Sequence, residues 1–490
     1  MNREFLINII FLISVNLLIK PFYIFGIDRT IQNTLPEGEY GLYFTLFGFT
    51  FLFQIINDFG IQQYNNRNLS QRPYLFQKYF PKLLVIKLLL NLVFLLFVLV
   101  FTLIIYAEEV EIYPLIFYIS INNILISLVQ FLRSNISGLG LFRTDSLISA
   151  LEKTLLIIIC AVLLWGNLFE SPFQLEWFIW AQTASWGLTG LVCFLVLRKY
   201  SRDRINTFFK WSQFTFHPRL VISILKQTYP FALVVLLMTI YTRIDSVMIE
   251  RMLPNGRQQA DVYAAAYRLL DAVNVFGVLF AGLLLPMFAN LLKKEESVQP
   301  LVDLSIKLIW AGAIPLAIGT YFFREEIMFL LYTNATINHG EVLGYLILTF
   351  IAVSGIYIYS TLLTANASLK KMNWLFVFSI ILNVILNYFL IQKYQATGAA
   401  IATLITQFFI LFGKMVLSNT EIGIQFNWRL KTQILSFGAF VIFINYQIYY
   451  LDYSNWIYKY IIGIVLCFSL AFLFKLIKLS ELKTVKIKKT

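Results

Sequence analysis

Charge is what this sequence has least of. Asp, Glu, Lys and Arg together make up 13% of its 490 residues, about half of what a water-soluble domain carries. Such a chain cannot coat a folded surface for water, and it reads as an integral membrane protein. Histidine is nearly missing: His217 and His339 lie far apart, both read as loop residues, and they leave no pattern for a histidine-based metal or catalytic centre. The three cysteines, Cys160, Cys193 and Cys467, sit inside apolar runs without CxxC or metal-ligand spacing; they are expected to be small core residues, and no metal or cofactor is implied. No external loop exceeds about 20 residues or gathers Arg and His, which argues against a glycan polymerase or ligase that presents catalytic groups to a sugar. The net charge of +13 would suit nucleic acid in a soluble chain. Here the apolar runs leave no space for such a domain, and the excess belongs to cytoplasmic loops.

What the sequence does have is apolar length. A helix needs about 20 apolar residues to cross hydrocarbon, and about fourteen stretches qualify: 5–26, 40–63, 80–105, 113–137, 145–166, 176–197, 224–249, 262–291, 302–323, 342–367, 373–392, 396–417, 431–450 and 455–477. No small-residue cleavage site follows the first, so it reads as a retained helix. With the N-terminus placed inside, the inner loops collect Arg67, Arg72, Lys78 and Lys82, then Arg198, Lys199, Arg202, Arg204, Lys210 and Arg219, and finally the lysines of the tail. The outer loops hold Arg29, Arg251, Arg257, Arg324, Lys393 and Lys459, and they take the acids Glu37, Glu39, Glu108, Glu109, Glu111, Glu325 and Glu326. Positive charge marks the cytoplasmic side, so both termini are expected there.

The halves resemble each other. LPEGEYGLYF (Leu35 to Phe44) and LPNGRQQADVYAAAY (Leu253 to Tyr267) both place Leu-Pro-x-Gly ahead of a Tyr and small residues, each between the first two spans of a half. Two six-helix lobes in the same orientation form a parallel repeat, a common transporter plan. The expected organisation is an N-lobe over 1–198, a cytoplasmic linker over 199–223, a C-lobe over 224–417, two added helices over 418–477 and a basic tail over 478–490. The linker mixes Arg and Lys with Phe208, Phe209, Trp211, Phe214 and Phe216, as a strip on anionic lipid would; a plain connection between halves fits equally.

Ionisable groups inside spans cost about 2.5–3.5 kcal/mol each on insertion scales and face a partner or a cavity. The spans contain Asn16 and Lys20; Gln54, Asn57 and Asp58; Asn122, Asn123, Gln130 and Arg133; Glu152 and Lys153; Arg243 and Asp245; Asp261, Arg268 and Asp271; then Asn383 with Asn387 and Thr403 with Gln407. By rise along each helix, Lys20, Arg243 and Arg268 fall in the outer half of the bilayer, Arg133 and Lys153 in the inner half with Asp58 and Glu152. All these charges lie in the first eight spans. They can be packing ion pairs, such as Arg268–Asp271 at i,i+3 or Arg243–Asp271 between neighbouring helices. As a set they suit an anionic, hydroxyl-rich cargo, with Lys and Arg for phosphate oxygens and Asn and Gln for hydroxyls.

These segments resemble a family. LPEGEYGLYF, NDFGIQQYNNRNLS (Asn57 to Ser70), YPFALVVLLMTIYTRIDSVMI (Tyr229 to Ile249), DVYAAAYRLLDAV, and NVILNYFLIQKYQATGAAIATLITQ (Asn383 to Gln407) are together similar to the polysaccharide transporter, or Wzx-type, flippases of the multidrug/oligosaccharidyl-lipid/polysaccharide exporter superfamily. The N-lobe lacks a counterpart of the GAAIAT segment. The resemblance implies two lobes around a central cavity that opens alternately to each side. It also implies outward movement of undecaprenyl-diphosphate-linked oligosaccharide across a bacterial inner membrane, beside a glycan polymerase or assembly proteins. Carried onto this chain, the cationic cavity is Lys20, Arg243 and Arg268, then Arg133 and Lys153, with Asn16, Asn57, Asn122 and Asn123 as hydroxyl partners. Drug and cation antiporters share the fold; an ion-coupled exporter would instead use Asp58, Asp245 or Asp271 as its coupling site.

Overall fold

The computed structural model describes residue 19 and residues 21–166, 171–205, 218–425, 427–451 and 455–477. Most of the first expected span, with Asn16 and Lys20, the core of the basic-aromatic linker, with His217, and the tail over 478–490 lie outside the described residues. Among the described residues every regular element is helical and none is a strand, as hydrocarbon demands of a chain that must satisfy its backbone hydrogen bonds within each segment. Rows of exposed Leu, Phe and Val, such as Leu88, Leu92, Leu96, Leu99 and Leu103 on Phe76–Ile105, make sense only with lipid as the surrounding solvent. The protein is an all-α membrane protein.

Ten described helices are long and apolar enough to cross a membrane, against about fourteen expected, and each difference has a local cause. The first span is mostly outside the described residues. The second is broken into Glu39–Leu52, Gln54–Asp58 and Ile61–Gln71, with left-handed backbone at Phe59 (φ 45°) and Gly60 (φ 80°). The eleventh and twelfth run together as Leu369–Ile422, interrupted at Gln395 (φ 54°, ψ −134°). In a straight helix residues eight apart are about 12 Å apart along the axis, yet a Cβ on Gly398 would collide with the Leu390 carbonyl and lie 2.8 Å from the Ile391 nitrogen. The chain therefore folds back at Gln395, and only glycine fits the crossing. The thirteenth, Trp428–Tyr449, opens with Arg429 and Lys431 and buries Asn445, so it is less apolar than its neighbours.

The helices form two compact units, residues 1–250 and 251–490. By contacts the long helix Pro218–Met252 falls in the first, whereas the sequence groups it with the second half. In the first unit Tyr113–Gly138 packs along Leu175–Ile205 and against Ile61–Gln71, and Phe142–Trp165 lies on Leu175–Ile205. Ile61, Leu69, Phe76, Phe80, Phe131, Ile136 and Cys193 form one apolar core there. In the second unit Ile337–Ala365 is the hub: Gly256–Lys293, Gln299–Phe322 and Leu369–Ile422 all pack on it, and 72% of its most apolar stretch is buried, more than in any other of the ten. His339, expected in a loop, instead sits in the first turn of this hub, where its Nδ1 accepts from the Thr336 backbone N–H at 3.0 Å and closes a capping box. Trp428–Tyr449 and Trp456–Leu473 pack on Gln299–Phe322. The three cysteines are free and buried, as expected.

Candidate functional site

Near Arg243 two helices approach closely at Gly48. A Cβ there would lie 2.9 Å from Ser246 Oγ and 3.4 Å from the Arg243 carbonyl, and Thr45 Oγ1 donates to the Ser246 carbonyl at 3.3 Å. Small residues let membrane helices meet backbone to backbone, and this contact fixes where Arg243 reaches. Its guanidinium carbon lies 5.6 Å from the Phe51 ring centroid and 6.0 Å from that of Phe47. The two rings, one turn apart, stack at 5.5 Å and 25°. Tyr43 continues the ladder 6.1 Å from Phe47 and accepts a hydrogen bond from Gln182 Nε2 at 2.7 Å. Arg243 and Asp245, two positions apart, point to different sides of their helix; Asp245 is fully buried. Both make further contacts.

Two other predicted cations of this unit, Arg133 and Lys153, lie against carboxylates. Arg133 Nε donates to Asp145 Oδ1 at 2.8 Å, and its Nη2 to Oδ2 at 3.4 Å, across the short turn at Gly140. Lys153 lies 3.1 Å from the neighbouring Glu152 carboxylate, with its ammonium 4.9 Å from the Tyr23 ring centroid and 5.7 Å from that of Trp186. Asp58, a predicted coupling residue, accepts from Lys87 at 2.7 Å, and Lys87 is fully buried. Sequence reasoning missed Lys87. Its signal was a single lysine inside the apolar run VIKLLLN, Val85 to Asn91.

The predicted amides join helices. Asn57 Nδ2 donates to Gln54 Oε1 at 3.0 Å, Gln54 Nε2 to the Asn123 carbonyl at 3.4 Å, and Asn123 Nδ2 to Thr50 Oγ1 at 2.9 Å. Asn122 donates to the Ile179 carbonyl at 3.1 Å and accepts from Thr183 Oγ1 at 2.7 Å. All three Asn are buried, and among the described residues the Oδ1 atoms of Asn57 and Asn123 find no donor.

In the second unit Arg268 lies 3.7 Å from Asp271 at the expected i,i+3 spacing; both charged residues make further contacts. The expectation that buried charge is confined to the first eight spans is corrected here. Lys414, in the twelfth, is fully buried. It donates to Ser360 Oγ and its ammonium lies 4.7 Å from the Phe376 ring centroid, with no carboxylate in ion-pair reach among the described residues. It too stands alone in an apolar run, LFGKMVL, Leu411 to Leu417. Among the described residues no cluster of His, Cys, Asp and Glu could hold a metal ion.

Comparison with known proteins places this arrangement. The polysaccharide biosynthesis protein family model matches residues 5–292, and the lipid II flippase MurJ family model matches residues 156–470. No curated protein matches in sequence. Among solved structures, the lipid II flippase MurJ in its inward closed conformation superposes with a TM-score of 0.67 at 15% identity, covering 97% of this chain and 98% of that one. An inward-facing multidrug resistance MATE family transporter of the MOP superfamily gives 0.61 at 16%, covering 86% and 99%. A MOP superfamily transporter from Pyrococcus furiosus, described as having a binding pocket of reversed polarity, gives 0.55 at 13%, covering 85% and 94%. At these identities the structures share the fold with this chain.

Proposed function

The chain belongs to the polysaccharide biosynthesis protein family, among the flippases of the MOP superfamily, and from that membership we propose that it carries undecaprenyl-diphosphate-linked oligosaccharide units outward across the bacterial inner membrane by alternating access, for surface polysaccharide assembly. The observation that carries this reading is Arg243, a guanidinium at membrane depth held against two aromatic rings. A cation so placed suits a diphosphate, whose oxygens take the planar fork of N–H donors. Lys20 joins it in the proposed cationic set of the first unit, the prenyl chain stays in lipid, and the sugars follow the diphosphate. An inside-negative potential favours outward movement of an anionic headgroup by about 2.3 kcal/mol per charge per 100 mV. The ion-coupled drug exporter is less well supported: Asp58 is already engaged by Lys87, and Asp271 lies beside Arg268.

Deleting the gene in its own host tests the reading. The expected result is loss of one surface glycan, accumulation of its lipid-linked precursor on the inner leaflet, and unchanged drug susceptibility. Normal surface glycan with increased drug sensitivity would instead assign the chain to drug export.

A further inference from the structure

An ammonium ion taken out of water into a protein interior recovers its lost hydration only through an opposite charge and partners for its N–H groups. Lys414 has little of either. It is fully buried, eight residues and so about 12 Å from the end of its helix at Ile422. Of its three donors, one goes to Ser360 Oγ, and the face of Phe376 lies 4.7 Å away. No carboxylate is in ion-pair reach among the described residues, and Glu421, the next acid along the helix, is held by Lys371 and Ser368.

Ser418 lies one turn on, on the same face as Lys414. It too is fully buried, and its hydroxyl finds no partner among the described residues. A serine or threonine in a helix can bond the carbonyl four residues back, as Thr406 does on Ala402; Ser418 does not. A cation without a counter-charge and a buried hydroxyl without an acceptor, side by side, lack the same group: an anion. The packing limits its size. A Cβ on Gly413 would collide with the Leu375 side chain, and one on Gly355 would lie 2.9 Å from Leu411. Helices this close exclude a phosphate or a carboxylate, and a monatomic halide remains.

We propose that Lys414 and Ser418 form a halide site inside the second unit, filled by chloride, with Ser360 holding the ammonium in place. Such a site is separate from the cargo and stands whatever the protein carries.

The test uses the purified full-length protein in nanodiscs, with sodium chloride or bromide replacing sodium gluconate at constant ionic strength. Apparent Tm is followed for the wild type, Lys414→Met, Ser418→Ala and, as a surface control, the exposed Lys370→Gln. Broadening of the chloride NMR line, competed by bromide, reads affinity directly. A ligand that binds the folded state alone raises its stability with concentration. The expected result is a halide-dependent rise in the Tm of the wild type and Lys370→Gln that Lys414→Met lacks, although in gluconate Lys414→Met is at least as stable as the wild type. Ser418→Ala should keep its Tm in gluconate and bind chloride roughly tenfold more weakly, as loss of one hydrogen bond to a charged group predicts. A wild type that neither binds halide nor responds to it overturns the site, because its lysine would then be neutralised by losing a proton. An equal rise in Lys414→Met also overturns it, placing the halide elsewhere. If Lys414→Met does not fold, Ser418→Ala decides, and wild-type affinity there overturns the site.

Discussion

Lys87 in the first unit and Lys414 in the second are both fully buried lysines, each the lone charge of an apolar run, and the protein accommodates them in opposite ways. Lys87 meets the Asp58 carboxylate at 2.7 Å beside the break at Phe59 and Gly60. Lys414 has the Ser360 hydroxyl and the face of Phe376. Burial alone therefore does not say what a membrane cation does. A carboxylate partner cancels the charge and locks helices together, while a ring orients a charge and leaves it uncancelled. Arg133 belongs with Lys87, being bound by Asp145, whereas Arg243 lies over Phe47 and Phe51 and makes further contacts.

The comparison can be broken first at Lys87. Asp58→Ala leaves a buried lysine uncompensated, a defect that costs about 3–5 kcal/mol, and should sharply reduce abundance and apparent Tm; Asp58→Asn with Lys87→Met should restore both. Equal damage from the single and double changes would show that the pair is not what stabilises the region. Lys414→Met should move the other way, being neutral or stabilising by up to about 1 kcal/mol, because it removes a buried charge that has no carboxylate in ion-pair reach among the described residues. A Tm drop as large as that of Asp58→Ala would place Lys414 in the same structural class as Lys87. The smallest effect is expected at the partly exposed Arg133–Asp145 pair, where Arg133→Ala with Asp145→Ala should cost no more than about 1 kcal/mol, read as a shift in apparent Tm with the glycan phenotype unchanged.

Much of the fold was legible because apolar length and loop charge are coarse signals that survive without contacts. The ends of Tyr113–Gly138, Phe142–Trp165 and Gln299–Phe322 fall within a few residues of the expected spans. The breaks were harder to see. Phe59 and Gln395 adopt left-handed backbone, and neither is a residue type that announces a turn; at 395 the usable clue was Gly398, already notable within GAAIAT. Among the site residues, the Arg268–Asp271 spacing is local to one helix and could be read directly. Asp58–Lys87 and Arg243 over Phe47 and Phe51 are contacts between helices, which no single-helix periodicity contains. Lys87 and Lys414 were overlooked because each lies among strongly apolar neighbours, although that isolation is itself what marks a buried cation.

The claim we propose and test is that Arg243 serves the cargo, whereas Arg133, held by the Asp145 carboxylate, serves the packing. The most direct measurement is surface glycan, quantified by lectin staining, in cells carrying Arg243→Ala or the Arg133→Ala/Asp145→Ala double change at protein levels matched to wild type. The account predicts at least a tenfold loss for the first, on the order of a lost charge-assisted hydrogen bond, and near-normal display for the second. Normal display with Arg243→Ala at matched abundance would contradict it.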